Sequence, residues 1–213
     1  MRLNVLTMVY LRSMRNIFLI ISCLLLCCSS WAQVPGYSGT DPGSWMEMPR
    51  VAAEDSASLY SLMMEIDGVS QRNYSFLWNE SHQTSNWFAY PLCRGNIGEG
   101  RRSNAFGLCP LLPASRQPLL EKGYREGNSG WYSRGHQIPS ADRLQYKANV
   151  ATFYGINMTP QDENMNGGIW ASLENKVRSW AMRCDTLYVV SGCTYDGWNG
   201  EYALDNRGRR VDA

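Results

Sequence analysis

The sequence has only two histidines, His82 and His136, in 213 residues, and it contains no C-x-x-C pair. Both shortages argue against a structural zinc site, which needs four closely spaced Cys or His ligands. Hydrophobic residues make up 44% of the chain and charged residues 18%. This balance excludes a wholly disordered chain, a collagen-like repeat and a coiled coil. The length predicts one domain, or at most two small ones.

Residues 1–32 contain no Asp or Glu and carry three Arg ahead of a 12-residue apolar stretch, Ile17–Cys28. That stretch is shorter than the roughly 20 residues of a membrane-spanning helix. Together with the small residues Ser30 and Ala32, it predicts a signal peptide that is cleaved after Ala32. A lipoprotein signal is the rival interpretation, but no small residue precedes either of the cysteines that end the stretch.

Without residues 1–32 the chain has 17 Lys and Arg (20 minus 3) against 19 Asp and Glu, a net charge of −2. Residues 93–150 differ from the rest, with nine basic and four acidic side chains, a local charge of +5. Such a segment could attract a polyanion. An ordinary solvated surface is the alternative.

Four cysteines remain after the predicted cleavage: Cys93, Cys109, Cys184 and Cys193. An even number in an exported chain predicts two disulfides, for which three connectivities exist. We expect the local pairs, Cys93 with Cys109 and Cys184 with Cys193.

Local patterns predict an α+β fold. Short aromatic runs on either side of a polar turn predict a β-hairpin, helical spacing of apolar residues predicts a helix, and a β-branched run predicts a buried strand. In chain order the predicted segments are an irregular leader 33–57, a domain 58–213, hairpin strands 74–78 and 87–92, a long loop 94–135, a helix 168–182 and a strand 187–190.

Four stretches carry the chemistry: SRGHQIPSAD (133–142), INMTPQ (156–161), NGGIWASLE (166–174) and LYVVSG (187–192). Their order and spacing resemble the DNA/RNA non-specific endonuclease family, the sugar-non-specific nucleases with a ββα-metal active site. The resemblance spans roughly residues 73–193. It implies a central antiparallel sheet with a ββα-metal site and helix 168–182 packed beside it.

The resemblance also implies a role for each matching residue. His136 would be the general base, since a neutral imidazole can take a proton from water near pH 7. Asn166 would hold one Mg²⁺, or Mn²⁺ as a substitute, through its amide oxygen, with waters in the remaining positions. Glu174 would orient the waters on the metal, and Asn157 would support the site.

Two arginines match residues of the family that contact phosphate. Arg134 precedes His136 by two residues, and its guanidinium is a fork donor suited to phosphate oxygens. Arg102, in RSNAF, is the expected match for an upstream arginine of the family. Taken one at a time, each of the matched residues could instead be an ordinary surface residue, turn residue or ion-pair partner.

The sequence departs from the family pattern in two places. Ser133 stands where the family has Asp, a change that could weaken Mg²⁺ binding without removing the base. The sequence ends in GRRVDA, which we interpret as a polar tail without a closing element, whereas family domains continue further. The domain 58–213 is therefore expected to be incomplete at its C-terminal end.

The leading hypothesis is an exported, Mg²⁺-dependent endonuclease, secreted or periplasmic, with DNA and RNA as substrates. It implies no stable protein partner and no membrane span in the mature chain. One alternative is an inactive, shortened homologue that acts as a nucleic-acid-binding or structural protein. Another keeps the fold but acts on a smaller phosphodiester.

Overall fold

The computed structural model describes residues 45–66, 68–128 and 130–213. The predicted signal peptide 1–32 and the first part of the leader 33–57 lie outside these residues. The described end of the leader contains a 3₁₀-helix, Ala53–Ser58.

Eight strands and four α-helices follow in the described residues. The strands are β1 (Leu59–Ile66), β2 (Val69–Asn79), β3 (Thr84–Leu92), β4 (Ser133–His136), β5 (Met158–Gln161), β6 (Leu187–Gly192), β7 (Tyr202–Leu204) and β8 (Arg210–Asp212). The helices are α1 (Arg94–Ile97), α2 (Tyr146–Ala151), α3 (Glu163–Met165) and α4 (Ala171–Ala181), and a π-helix, Asn166–Trp170, joins α3 to α4. Short 3₁₀-helices cover Ala114–Arg116, Ser140–Asp142 and Gly155–Asn157.

A four-stranded antiparallel sheet in the order β1-β2-β3-β6 is the centre of the fold. The prediction of an α+β fold with a central antiparallel sheet is therefore confirmed. The predicted hairpin is present as β2 and β3, both longer than the aromatic runs that predicted them. β1 was not among the predicted strands.

Aromatic side chains of β2 and β3 form the middle of the core. Tyr74, Phe76, Phe88 and Tyr90 alternate along their strands and are at most 1% exposed. Alternate residues of a strand face the same side of its sheet, so these rings meet across the hairpin. The Phe76 and Phe88 rings stack with their centroids 5.3 Å apart. The core thus fixes the register of the hairpin on which the rest of the sheet is built.

The predicted helix packs beside the sheet, although it is longer and less regular than predicted. Its helical run starts at Glu163 and ends at Ala181, and the π-helix lies within it. The Asp162 side chain caps the start by accepting a hydrogen bond from the Met165 amide at 2.9 Å. Val177 and Ala181 are buried in the same cluster as the sheet aromatics.

A two-stranded ribbon, β4 with β5, lies apart from the central sheet. It pairs Arg134 with Pro160 and His136 with Met158. The helical run follows β5 directly, so β4, β5 and this run form a ββα unit. The segment 94–135, predicted as a loop, leads into the ribbon and contains only α1 and one 3₁₀-helix before β4.

The prediction of a polar tail is wrong. Residues 202–212 form an antiparallel hairpin of β7 and β8. Ala203 and Val211 are fully buried and pack with Leu120, Tyr124 and Met158 in a second core cluster. The polar composition of GRRVDA hides this role, because only one side of so short a strand needs to be apolar.

The structure does not show the expected disulfides: Cys93, Cys109, Cys184 and Cys193 are all free thiols. Cys184 precedes β6 and Cys193 follows it, so a strand of roughly 20 Å separates them. Disulfide-bonded Cα atoms lie only about 4.4–6.8 Å apart. The Cys93 thiol instead donates a hydrogen bond to Asn96 Oδ1.

Among the helices of the described residues, none combines the length and apolar character needed to cross a membrane.

The C-terminal hairpin makes a prediction about stability. Replacing the fully buried Val211 by Ala removes two methyl groups from the second core cluster, and we expect the free energy of unfolding to fall by about 2 kcal/mol. Val69, which is 48% exposed, supplies the matched control Val69→Ala, which should change stability by less than about 0.5 kcal/mol. Urea denaturation measures both. Equal effects of the two substitutions would show that β8 is not part of the core.

Candidate active site

A cavity of about 310 Å³ lies between the β4–β5 ribbon and the helical run. The structure brings five of the six predicted site residues to it and leaves Asn157 outside its lining. The lining residues are Arg102, Arg134, His136, Pro139, Ser140, Ala141, Leu144, Asn166 and Glu174. Residues that are up to 72 positions apart in the sequence therefore meet in one place, as the motif resemblance implies.

His136 is the last residue of β4 and is 8% exposed. Its ring meets the Phe153 ring edge-on, with centroids 5.1 Å apart. Burial, together with the positive charges of Arg102 and Arg134, lowers its pKa from 6.5 to about 3, against the opposing effect of a hydrogen bond to the Arg134 backbone. The imidazole is therefore neutral throughout the physiological pH range.

The two ring nitrogens of His136 have different surroundings. The hydrogen bond to the Arg134 backbone raises the pKa, as expected where a ring N–H donates to a carbonyl oxygen. Nε2 is buried and has no hydrogen-bond partner among the described residues. A buried polar atom without a partner costs about 1–3 kcal/mol. A neutral ring with one nitrogen satisfied and the other free is the arrangement that a general base requires.

Asn157 supports this arrangement from outside the cavity. It is fully buried, and its side chain accepts a hydrogen bond from the Ile138 amide at 2.9 Å. It also donates to the Ile138 and Thr152 carbonyls at 3.0 and 2.8 Å. The amide group thus holds the chain just after His136 in place. Its place outside the cavity lining and its bonds to the backbone fit the supporting role that the resemblance implies.

Two arginine side chains flank His136 in the cavity. The Arg134 guanidinium lies 3.5 Å from the Phe106 ring centroid, and its Nη1 donates to the Leu120 carbonyl at 2.8 Å. Arg102 lies over the Phe153 ring at 4.7 Å. These contacts fix the planes of both guanidinium groups, which are rigid fork donors for phosphate oxygens.

Asn166 and Glu174 face the same cavity from the helical run. Burial, together with the negative charge of Asp142, raises the Glu174 pKa to about 7, while the positive charge of Arg178 opposes the shift. Glu174 is therefore partly protonated near neutral pH when no cation is close to it. A cation bound beside it would favour the carboxylate.

The sequence analysis missed the residues that join α4, the helix of Glu174, to the central sheet. Asp142 is 1% exposed, forms an ion pair with Arg178 at 2.8 Å and accepts a hydrogen bond from the Tyr90 hydroxyl at 2.9 Å. This network links β3 of the sheet to α4, the helix of Glu174. Two features of the sequence could have indicated these residues. Asp142 lies inside the SRGHQIPSAD stretch, and Arg178 follows Glu174 by one helical turn, so both side chains lie on the same face of the helix.

Ser133, where the family has Asp, begins β4 opposite Gln161 and does not line the cavity. The departure therefore lies at the start of the ribbon, three residues before His136.

The cavity fits a divalent cation that keeps most of its water. No group of three or more His, Cys, Asp or Glu side chains in the described part of the chain forms a metal-binding cluster. Mg²⁺ binds through one or two oxygen ligands and retains several waters, so the Asn166 amide and the nearby Glu174 carboxylate suffice. The free His136 Nε2 adds an acceptor for a water in the same cavity.

A larger cavity, of about 440 Å³, lies between Gln161 of β5 and Gly192 of β6. Its lining includes Gln137, the neighbour of His136, whose side-chain amide donates to the Ser85 carbonyl of β3 at 2.9 Å. None of the predicted site residues lines it. The larger of these two cavities is therefore not the one that contains the predicted site residues.

The buried neutral imidazole predicts how stability depends on pH. The unfolded chain protonates His136 near pH 6.5 and the folded chain only near pH 3, so the unfolded state binds more protons between these values. The contribution of His136 to the free energy of unfolding is present above pH 6.5 and should fall by up to about 1.4 kcal/mol per unit as the pH decreases.

Urea denaturation between pH 4.5 and 7.5 of wild type and His136→Gln measures this contribution as a difference. In His136→Gln the free energy of unfolding should depend less on pH than in wild type, by up to about 1.4 kcal/mol per pH unit. The difference reports His136 alone, because the two proteins share every other titrating group. Parallel curves for the two proteins would contradict a buried neutral His136.

Comparison with known proteins identifies the family to which the sequence is related. The sequence matches the family described as DNA/RNA non-specific endonuclease over residues 55–209. A curated relative named Nuclease, from Nostoc sp., is 35% identical over 123 residues, covering 57% of this chain and 44% of that protein. Nuclease EXOG, mitochondrial, of Danio rerio is 32% identical over 124 residues, which cover 56% of this chain and 35% of that protein.

The Nuclease of Serratia marcescens is 30% identical over 131 residues, covering 60% of this chain and 48% of that protein. A solved structure, the EndoG/EndoGI complex, is similar over 71% of this chain and 58% of that chain, with 19% identity and a TM-score of 0.47. The matches span less than half the length of these curated relatives. The family match covers well over half of the present chain, and the chain belongs to the DNA/RNA non-specific endonuclease family.

Proposed function

We propose that this protein is an exported, Mg²⁺-dependent endonuclease that hydrolyses phosphodiester bonds of DNA and RNA without sequence preference. The observation that carries the proposal is the unpartnered Nε2 of a neutral His136 in one cavity with Asn166, Glu174, Arg102 and Arg134. Family membership supports it, as do the three relatives whose names identify them as nucleases.

The residues suggest how the reaction proceeds. His136 Nε2 accepts a proton from a water molecule, and the resulting hydroxide attacks the phosphorus as the P–O3′ bond breaks. Arg134 and Arg102 neutralise charge on the non-bridging phosphate oxygens. Mg²⁺ on the Asn166 amide oxygen would stabilise the negative charge on the phosphate and the leaving 3′ oxygen. Glu174 orients the waters around that position.

Polymeric nucleic acid fits the surface charge. Segment 93–150, which has a local charge of +5, includes Arg102, Arg134 and His136. Positive charge around a cavity raises the local concentration of a polyanion. Contacts to phosphate and sugar carry no base information, so weak sequence preference follows from the chemistry of the site.

Export rests on the predicted signal peptide 1–32, with cleavage after Ala32 and a secreted or periplasmic destination. Mn²⁺ is a chemically reasonable substitute for Mg²⁺, because oxygen ligands suit both ions.

The first prediction from this mechanism concerns the base. His136→Ala should reduce Mg²⁺-dependent plasmid nicking about 10²–10⁴-fold, the usual contribution of a general base. His82→Gln is the matched control, since His82 pairs with Asp212 in the C-terminal hairpin and lies outside the cavity. That variant should cleave at nearly the wild-type rate.

Both proteins should first be shown to be folded by circular dichroism. Equal rates for the two variants would contradict the assignment of the base. DNA binding without cleavage by folded wild-type protein would instead favour the inactive, nucleic-acid-binding alternative.

The second prediction concerns metal affinity. Because the Glu174 pKa is raised to about 7, protons compete with the cation below that pH. The affinity for Mn²⁺, used as a probe, should fall by up to about tenfold per pH unit between pH 7 and pH 5.5.

Glu174→Gln, which keeps the shape but not the charge, should bind more weakly and lose this pH dependence. Titration calorimetry of both proteins across the pH range provides the measurement. An unchanged slope in the Gln variant would show that another group couples the proton to the metal.

A further inference from the structure

Two functional side chains face one cavity across a spacing that an ordinary helix does not match. Asn166 and Glu174 both line the cavity and lie eight residues apart. Eight residues of α-helix make about 2.2 turns, so their side chains would diverge by roughly 80°. A plain helix that points Glu174 into the cavity therefore turns Asn166 away from it.

The π-helix Asn166–Trp170 removes this offset. Its hydrogen bonds reach five residues back instead of four, so one π turn holds almost one residue more than an α turn. One π turn followed by one α turn takes up about eight residues, which is two full turns. The two side chains then lie above one another on the same side of the run.

The local sequence suits a wide turn. Cβ atoms built on Gly167 and Gly168 would contact nothing within 4 Å, so this side of the turn is open. The Ser172 hydroxyl donates to the Gly168 carbonyl at 3.1 Å, which satisfies a backbone oxygen of the π segment.

Both ends of the helical run are fixed. The Asp162 cap holds its start, while buried Val177 and Ala181 hold α4 against the core. The additional residue that the π turn holds, relative to an α turn, is therefore accommodated between two fixed ends of the run.

We propose that the π turn Asn166–Trp170 is a positioning element that keeps the Asn166 amide in phase with the Glu174 carboxylate. The inference rests on the proposed function for the metal role of Asn166. The alignment of the two side chains is a property of the helix and does not depend on whether a metal binds.

Variants that shorten or lengthen the helical run test whether the site needs the two side chains to be aligned or only needs them eight residues apart. Deleting Gly167 leaves a spacing of seven, which a regular α-helix spans in about 1.9 turns, within roughly 20° of alignment. Inserting one Ala after Gly168 makes a spacing of nine, or about 2.5 turns of α-helix, which places the two side chains on opposite faces. The deletion should therefore be tolerated and the insertion should not.

Mn²⁺ binding to the full chain, measured by titration calorimetry, provides the first readout. The deletion should keep the affinity within about tenfold of wild type, and the insertion should weaken it by about 10–100-fold or more, as loss of ligand orientation does. Gly167→Ala, which preserves the length and meets no steric obstacle, should bind as wild type does.

Crystal structures of the deletion and insertion variants provide the second readout, which does not depend on metal. We expect a continuous α-helix with both side chains in the cavity after the deletion, and separated side chains after the insertion. A folded deletion variant in which either side chain has left the cavity would overturn the proposal. Absence of Mn²⁺ binding in wild type would instead refute the metal role of Asn166, and the crystal structures would still decide the positioning.

Discussion

The site depends on one constraint: an imidazole must stay neutral and buried while one of its nitrogens remains without a partner. His136 meets this constraint because its ring is buried beside Phe153, which keeps it neutral, and the Arg134 backbone forms a hydrogen bond with one of its nitrogens. The unsatisfied Nε2 carries an energetic cost. Buried polar atoms of this kind are few in folded proteins and concentrate where a ligand or a reaction completes them.

Much of the surrounding structure maintains that position. The Asn157 side chain makes three hydrogen bonds to the backbone around residues 138 and 152, so the chain that leaves β4 has little freedom. On the opposite wall, the Asp142 network joins Tyr90 of the central sheet to Arg178 of α4. The stacked aromatics of β2 and β3 thereby fix not only the core but also the wall of the cavity that carries Glu174.

Sequence reasoning succeeded where a pattern is local and repeated. The aromatic runs predicted the β2–β3 hairpin, and the apolar spacing predicted the helix that packs beside the sheet. Four of the five predicted residues that meet in the cavity were named from two short motifs, SRGHQIPSAD and NGGIWASLE, and Arg102 was named from RSNAF. Motif spacing preserves a constellation that folding later assembles. Their chemical roles remain proposals.

Other features depend on tertiary contacts that no local pattern contains. β1 was missed because LYSLMMEI has no clean alternation and only Leu62 is buried. β8 was taken for a tail because one buried valine among polar residues is its only apolar signal. The predicted Cys184–Cys193 pair is absent because these residues lie near each other in sequence but at opposite ends of a strand. The π turn could not be seen, since i,i+8 spacing alone does not specify a helix type.

Nitrogen-15 NMR of the His136 ring tests the central claim most directly. The account predicts a neutral ring between pH 5 and 8, protonated on one nitrogen only, with Nε2 unprotonated and no titration near the ordinary imidazole pKa of about 6.5. A ring that titrates near pH 6.5, or one that carries its proton on Nε2, would contradict it.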